Sequence, residues 1–346
     1  MEINNKIKFA SFLVVFIFKS FLIFLFIYFS PNIQFFPERI YCEAGDTFSY
    51  IESMQNYISD GTYYVKSYNE IYYSVRPPHY LTIFYLLKEV GLSTDNALNF
   101  LVLIQTIINS LSILALALLV MYMTKKKYLF YLMLGILAFT SSMSYFNQII
   151  LPESLVISCI SIAIYLTYKY YLRQNNYILI LASILIAFSV QMRPYIVFSL
   201  LLPYLYIFLL FIKNKDYNFL IKNVLLVFIA MSFIFIPWIY RNYKIYQKIA
   251  PYDYKILDYY YGGDYQTSIR KAKLEFLKAV GETDTYWDIK CMSSFFEDDK
   301  SRFKQSSIFK FKKYNFSKSI SMDNYNIARD LYLKAINDKD NINKKN

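Results

Sequence analysis

The chain has 346 residues, of which 56% are apolar, 20% aromatic and 18% charged, and it carries a formal net charge of +12. So much apolar surface beside so little charge excludes an ordinary soluble fold of this size. Much of the positive excess sits in short loops and the C-terminal third, and no basic cluster accompanies a recognisable nucleic-acid module, so orientation against anionic headgroups explains it better than nucleic acid does.

A helix crossing about 30 Å of hydrocarbon needs about 20 apolar residues. Seven runs approach this, near residues 9–30, 97–123, 128–148, 154–172, 177–192, 195–212 and 223–240. None alternates as a barrel strand does, so they predict an all-α multi-pass membrane protein with seven spans. The expected organisation is a membrane module over 1–242, with a loop at 31–79 carrying interfacial helices, followed by a polar tail at 243–346.

The first run lacks a small-residue cleavage site and carries Lys19 in its middle, so it reads as an uncleaved anchor with that lysine snorkelling inward. Lys6 and Lys8 precede it, and Lys125 to Lys127, Lys169 with Arg173, and Lys213, Lys215 and Lys222 flank later runs. By the positive-inside rule these lie in the cytoplasm with the N-terminus, in an inner or plasma membrane. The loop from Pro31 to Arg76, with six acids against three bases, the turn near Pro152, the Arg193 region and the tail then face the other side.

In that loop EAGDTFSYIESMQN places Asp46 just ahead of a helical pattern, where it suits an N-cap or a functional carboxylate. SVRPPHYLTIFYLL follows, with Arg76 and His79 flanking a Pro-Pro turn before an amphipathic stretch that fits the membrane interface. His79 is the sole histidine, which excludes a multi-histidine metal site. Counting along the later runs brings Glu153 in LPESL, Arg193 in QMRPY and Arg241 in IPWIYRNY to the same outer level. Glu153 also suits the N-terminus of its own helix. Cytoplasmic loops use lysine almost throughout, whereas Arg76, Arg193 and Arg241 are all arginine. Planar guanidinium groups suit bidentate phosphate recognition, although they also anchor on lipid headgroups.

Beyond Tyr243 the chain is polar, with amphipathic helical patterns at 266–281 and 322–337. Of three cysteines, Cys42 and Cys291 fall on the oxidising side and stand as either a bridge or two free thiols, while Cys159 lies in a span.

Taken in order, GDTFSY, RPPHY, a span containing Gln105, LPESL, MRPY and PWIYRNYKIYQK resemble the GT-C class of membrane glycosyltransferases, which includes protein O-mannosyltransferases and lipid A aminoarabinose transferases. The resemblance covers about residues 9 to 250, with echoes in YYYGGDY and AINDKDN of the tail. It implies transfer of a sugar from a polyprenyl-phosphate donor, at the membrane lipid boundary, to a glycan, lipid or protein acceptor by an inverting mechanism. Asp46 matches the acid that accepts or orients the acceptor hydroxyl. Glu153 matches a second acid, which orients the acceptor or, with Asp46, helps hold a divalent cation in members that use one. Arg76, Arg193 and Arg241 match positions suited to the carrier phosphate, with His79 beside them. Members usually continue into further spans, so a truncated or inactive relative that binds lipid-linked sugar is the alternative. A transporter is a third reading, opposed by span centres from the second run onward that hold no charge but kept open by Gln105 and Asn109.

Overall fold

The computed structural model describes residues 3–29, 39–43, 46–67, 70–73, 76–247 and 249, together with Asn326, Ile327, Asp330 and Leu333. The chain divides into two units, Met1–Asp253 and Tyr254–Asn346. Of the second unit, the four described residues are helical and exposed and fall inside the pattern predicted at 322–337. The 266–281 pattern and Cys291 lie outside the described residues, and with them the proposed Cys42 partner.

The first unit is a bundle of helices. Apolar runs produce α1 (Asn5–Phe29), α4 (Thr94–Thr124), α7 (Glu153–Arg173), α9 (Leu201–Asn214) and α10 (Tyr217–Tyr246). Shorter apolar helices are α5 (Lys127–Phe139) and α8 (Asn176–Met192), and α6 (Ser141–Gln148) is short and mixed. A 3-10 segment, Pro194–Leu200, leads into α9, so that Pro194–Asn214 runs on as one helix with a kink at Ile196. Five helices among the described residues are long and apolar enough to cross a membrane, counting Pro194–Asn214 as one of them. The chain is an all-α membrane protein in its apolar part; the seven full-length runs expected from the sequence reduce to five, with α5 and α8 falling short.

Polar caps fix several boundaries. Ser93, Asn175 and Asp216 each accept a backbone N–H of the first turn they precede, at 3.3, 2.9 and 3.1 Å. Four helices end on Lys125, Gln174, Lys215 and Gln247 in the left-handed region, each returning its N–H to a carbonyl four residues back.

The run predicted at 128–148 is broken at Thr140, and Lys19 supplies the reason. Instead of snorkelling, Lys19 is fully buried and its Nζ donates to the Thr140 carbonyl at 2.8 Å, satisfying an acceptor freed where α5 ends. A buried ammonium needs such a partner, and the backbone supplies it.

The loop after α1 is more structured than the helical expectation. Cys42 bridges Ile149 as extended backbone, with Cys42 N–H donating to Gln148 at 2.9 Å and Ile150 N–H donating to Cys42 at 3.0 Å. Helix α2 (Thr47–Asp60) follows, then an antiparallel hairpin of β1 (Val65–Ser67) and β2 (Glu70–Tyr72) in the register Val65 to Tyr72. Helix α3 (Thr82–Glu89) packs on α4 and buries Phe84 while Leu86 stays exposed, in keeping with its amphipathic pattern. One apolar core, including Tyr50, Met54, Tyr80, Phe84, Leu98, Leu155 and Trp238, joins these loop elements to α4, α7 and α10.

Candidate functional site

Asp46 sits at the N-cap position of α2, but its backbone is right-handed helical and its side chain makes no cap hydrogen bond. The cap reading therefore fails for the carboxylate, which pairs with the Arg76 guanidinium at 2.9 Å. Arg76 is almost wholly buried at 7% side-chain exposure, whereas Asp46 keeps 47% and faces solvent on its remaining surface. The arginine is held from three directions: Nε donates to Ser49 Oγ at 3.1 Å, Nη1 donates to the Tyr50 hydroxyl at 3.3 Å, and the guanidinium carbon stands 4.5 Å from the Tyr50 ring centroid.

Glu153 opens α7 and pairs with Arg193, which follows α8. This pair is also largely enclosed, at 24% and 15% side-chain exposure, and Arg193 stands 5.9 Å from the same Tyr50 ring. Tyr50 is thus the residue at which the two acid–arginine pairs meet. Burial raises its phenol pKa, with Arg76 and Arg193 opposing and Glu153 and Asp46 adding, so it stays a neutral hydroxyl between charges. Glu153 Oε2 and Arg193 Nε are buried without a hydrogen-bond partner among the described residues, an uncommon condition for polar atoms of a charged pair.

Tyr50 was not singled out by its residue type, yet a signal existed. Asp46, Ser49, Tyr50 and Ser53 recur at i, i+3, i+4 and i+7, the spacing of one helix face. Three of them are buried, which makes that face polar and inward.

A hydrogen-bonded network beneath positions both acids. The Tyr80 hydroxyl donates to Gln105 Oε1 at 3.0 Å, and Gln105 Nε2 donates to the carbonyls of Asn147 at 2.7 Å and Ile149 at 3.3 Å. Asn147 in turn reaches Asn109 at 3.4 Å and accepts from Ser154, and Asn109 donates to Ser158 at 3.2 Å. Thr47 Oγ1 donates to the Ile150 carbonyl at 2.9 Å. The stretch leading to Glu153 is therefore tied on one side to α4 and on the other to the residue after Asp46. Replacing Gln105 by Leu strands two carbonyls and a tyrosine hydroxyl in the interior; we expect a loss on the order of 3 kcal/mol, seen as a lower thermal midpoint of the detergent-solubilised protein.

No family model matches the chain, and no curated protein or solved structure is significantly similar to it.

Arg241 does not join the Tyr50 cluster. It lies inside α10, one turn beyond Pro237, and donates to the carbonyls of Tyr63, at 2.6 Å, and Tyr73, pinning the hairpin that separates them. Trp238 and Tyr63 stack around it, at 4.8 and 5.8 Å to their ring centroids. Together with His79, Arg241 borders a cavity of about 390 Å³ whose other walls, apart from Thr82, are apolar or aromatic, among them Met54, Tyr85, Phe233 and Trp238.

His79 packs its ring edge-on against Phe188 at 5.8 Å, and its Nδ1 is buried without a partner among the described residues. Burial lowers its pKa to about 4, against a smaller raising effect from the Ile234 backbone. Above the unfolded value of 6.5 both states hold neutral imidazole, and as pH falls from 6.5 toward 4 the unfolded state takes up its proton first and stability is lost. His79→Gln should remove this part of the acid destabilisation, which thermal melts of both proteins across pH 7 to pH 4 will measure.

Among the described residues no group of three or more His, Cys, Asp or Glu side chains could hold a metal ion. Asp46 and Glu153 each pair with an arginine.

Proposed function

We propose that the chain is a glycosyltransferase that moves a sugar from a polyprenyl-phosphate donor to an acceptor outside the cytoplasm. The observation that carries this reading is the meeting at Tyr50 of two carboxylates, each paired with an arginine from a different segment. A lipid-phosphate leaving group needs cations where negative charge develops, and an acceptor hydroxyl needs a carboxylate in reach.

In this mechanism the acceptor oxygen attacks the anomeric carbon while the bond from that carbon to the phosphate oxygen breaks. The hydroxyl proton passes to Asp46, whose carboxylate Arg76 aligns through one oxygen while the side chain keeps an exposed surface for the acceptor. Polyprenyl phosphate departs with the bonding pair. Its charge is met by the guanidinium groups of Arg193 and Arg76. Glu153 orients Arg193. A single displacement inverts the anomeric configuration and forms no covalent enzyme intermediate.

The apolar cavity beside His79 and Arg241 suits the first isoprene units of the carrier. On this reading α5 with α6, and α8, complete seven crossings, and the lysine-rich ends of α4, α7 and α9 face the cytoplasm with the N-terminus. The network of Gln105, Asn109 and Asn147 is engaged between helices and the stretch before α7, which counts against its serving as a transport path.

A photoreactive polyprenyl-phosphate analogue should crosslink to peptides carrying residues 54–85 or 233–241 in the purified membrane protein. Crosslinks confined to other segments would contradict the assignment of the cavity.

A further inference from the structure

A second cleft lies on the other side of α2, and neither carboxylate pair lines it. It has a volume of about 320 Å³, at the small end of the range for small-molecule sites of about 300–1,000 Å³. Its walls are the extended segment after α1, the outward face of α2 and the start of α4. Phe48 is the notable wall: a phenyl ring 68% exposed, two residues from Asp46, on a helix of which Ser49, Tyr50 and Ser53 are buried. Exposure alone is common among the aromatics of this chain; what sets Phe48 apart is that its ring lines a cleft beside polar groups, the lining a small-molecule site uses.

Opposite it the polar groups are placed by the fold. Asp95 is held by Arg39 at 3.0 Å and receives the Tyr41 hydroxyl at 2.6 Å, so its carboxylate is fixed at the start of α4. Glu43 and Gln55 line the same cleft and are exposed. The cleft thus combines one open aromatic face, an anchored carboxylate, a second carboxylate and a primary amide.

From this combination we infer that the cleft binds an uncharged saccharide, the part of a glycan acceptor next to the sugar unit that reacts at Asp46. Sugar C–H bonds are polarised by their oxygens and meet the electron-rich face of an aromatic ring, as the edges of other rings do. Sugar hydroxyls donate to carboxylates, and the amide of Gln55 both donates and accepts. Two carboxylates, with Arg39 already engaged by Asp95, select against an acidic sugar. Among glycan, lipid and protein acceptors, the lining favours a glycan. The inference rests on the glycosyltransferase reading for its role, but saccharide binding itself is independent of transfer.

The test is equilibrium binding by saturation-transfer NMR and calorimetry on the detergent-purified full chain. The probes are uncharged gluco-, manno- and N-acetylhexosamine oligosaccharides, with oligogalacturonate as the acidic comparison and a Ser/Thr-rich peptide as the other acceptor class. At least one uncharged oligosaccharide should bind saturably, with affinity at least tenfold weaker in Phe48→Ala and reduced in Gln55→Ala. Asp46→Asn should still bind it saturably, even where transfer is lost, so failure of transfer and failure of the cleft are separable. Thermal melts report whether each variant is folded. Absence of saturable binding to every uncharged saccharide, unchanged binding in a folded Phe48→Ala, or binding of the peptide or acidic sugar alone would each overturn the assignment.

Discussion

Replacing Asp46 with Asn should lower sugar transfer by about 10²- to 10⁴-fold, the range a positioned proton acceptor contributes, while leaving the protein folded. The substitution is nearly isosteric, and its amide oxygen can still accept from Arg76. Asp46 is half exposed but Arg76 is buried, so the lost ion pair should cost about 1.5 kcal/mol of stability, the low end for a hydrogen bond to a charged group, because the amide oxygen still accepts from Arg76. Activity and stability therefore separate at this residue. A role limited to capping the helix would instead leave turnover unchanged, since Asn caps a helix as well as Asp does. Comparing initial transfer rates and melting midpoints of the two proteins distinguishes the roles.

Arg76→Lys is the second large effect. The guanidinium uses its planar fork to reach Asp46, Ser49 and Tyr50 together while lying on the Tyr50 ring. An ammonium is a point charge on a flexible stem and cannot serve these partners at once. Transfer should fall by about 10²-fold or more, as when one preorganised charge-stabilising donor is removed. Stability should fall by about 1.5–3 kcal/mol, the range for hydrogen bonds to charged groups, because Arg76 is buried and Ser49 and Tyr50 lose their donor. Arg193→Lys, at a more exposed arginine, should reduce transfer with a smaller change in melting midpoint. Equal rates for Arg76→Lys and wild type in a folded protein would remove Arg76 from the reaction.

The helices that dominate the fold were legible because each is an apolar run with its own caps, as α4 shows between Ser93 and Lys125. The break at Thr140 was not. It depends on Lys19, which is 121 positions away in the chain and looks in the sequence like a residue bound for the membrane surface. The hairpin at Val65–Tyr72 was equally hidden, since its pairing is completed by Arg241 reaching back to the Tyr63 and Tyr73 carbonyls. Of the candidate site, the order of Asp46, Arg76, Glu153 and Arg193 along the chain pointed to the residues that meet. It did not separate Arg241, whose helix continues beyond the expected end at 240 and directs the side chain to the hairpin. Tyr50, at the centre, was visible only as a member of the polar face of α2.

The buried network ties these segments together. Asn147 and Gln105 take up the backbone carbonyls of a non-helical stretch, so that Glu153 can start its helix beside a loop tied down at Cys42 and Thr47. A polar interior of this kind is stable only when its members are satisfied, which is the basis of the Gln105→Leu expectation.

The most direct measurement of the central claim follows a labelled polyprenyl-phosphate sugar in lipid nanodiscs containing the purified chain and an uncharged glycan acceptor. The expected result is one mole of polyprenyl phosphate released per mole of sugar transferred, with the anomeric configuration inverted and the reaction lost in Asp46→Asn. A folded wild-type protein that transfers sugar from no member of a donor panel, or an Asp46→Asn variant that transfers as fast as wild type, would contradict it.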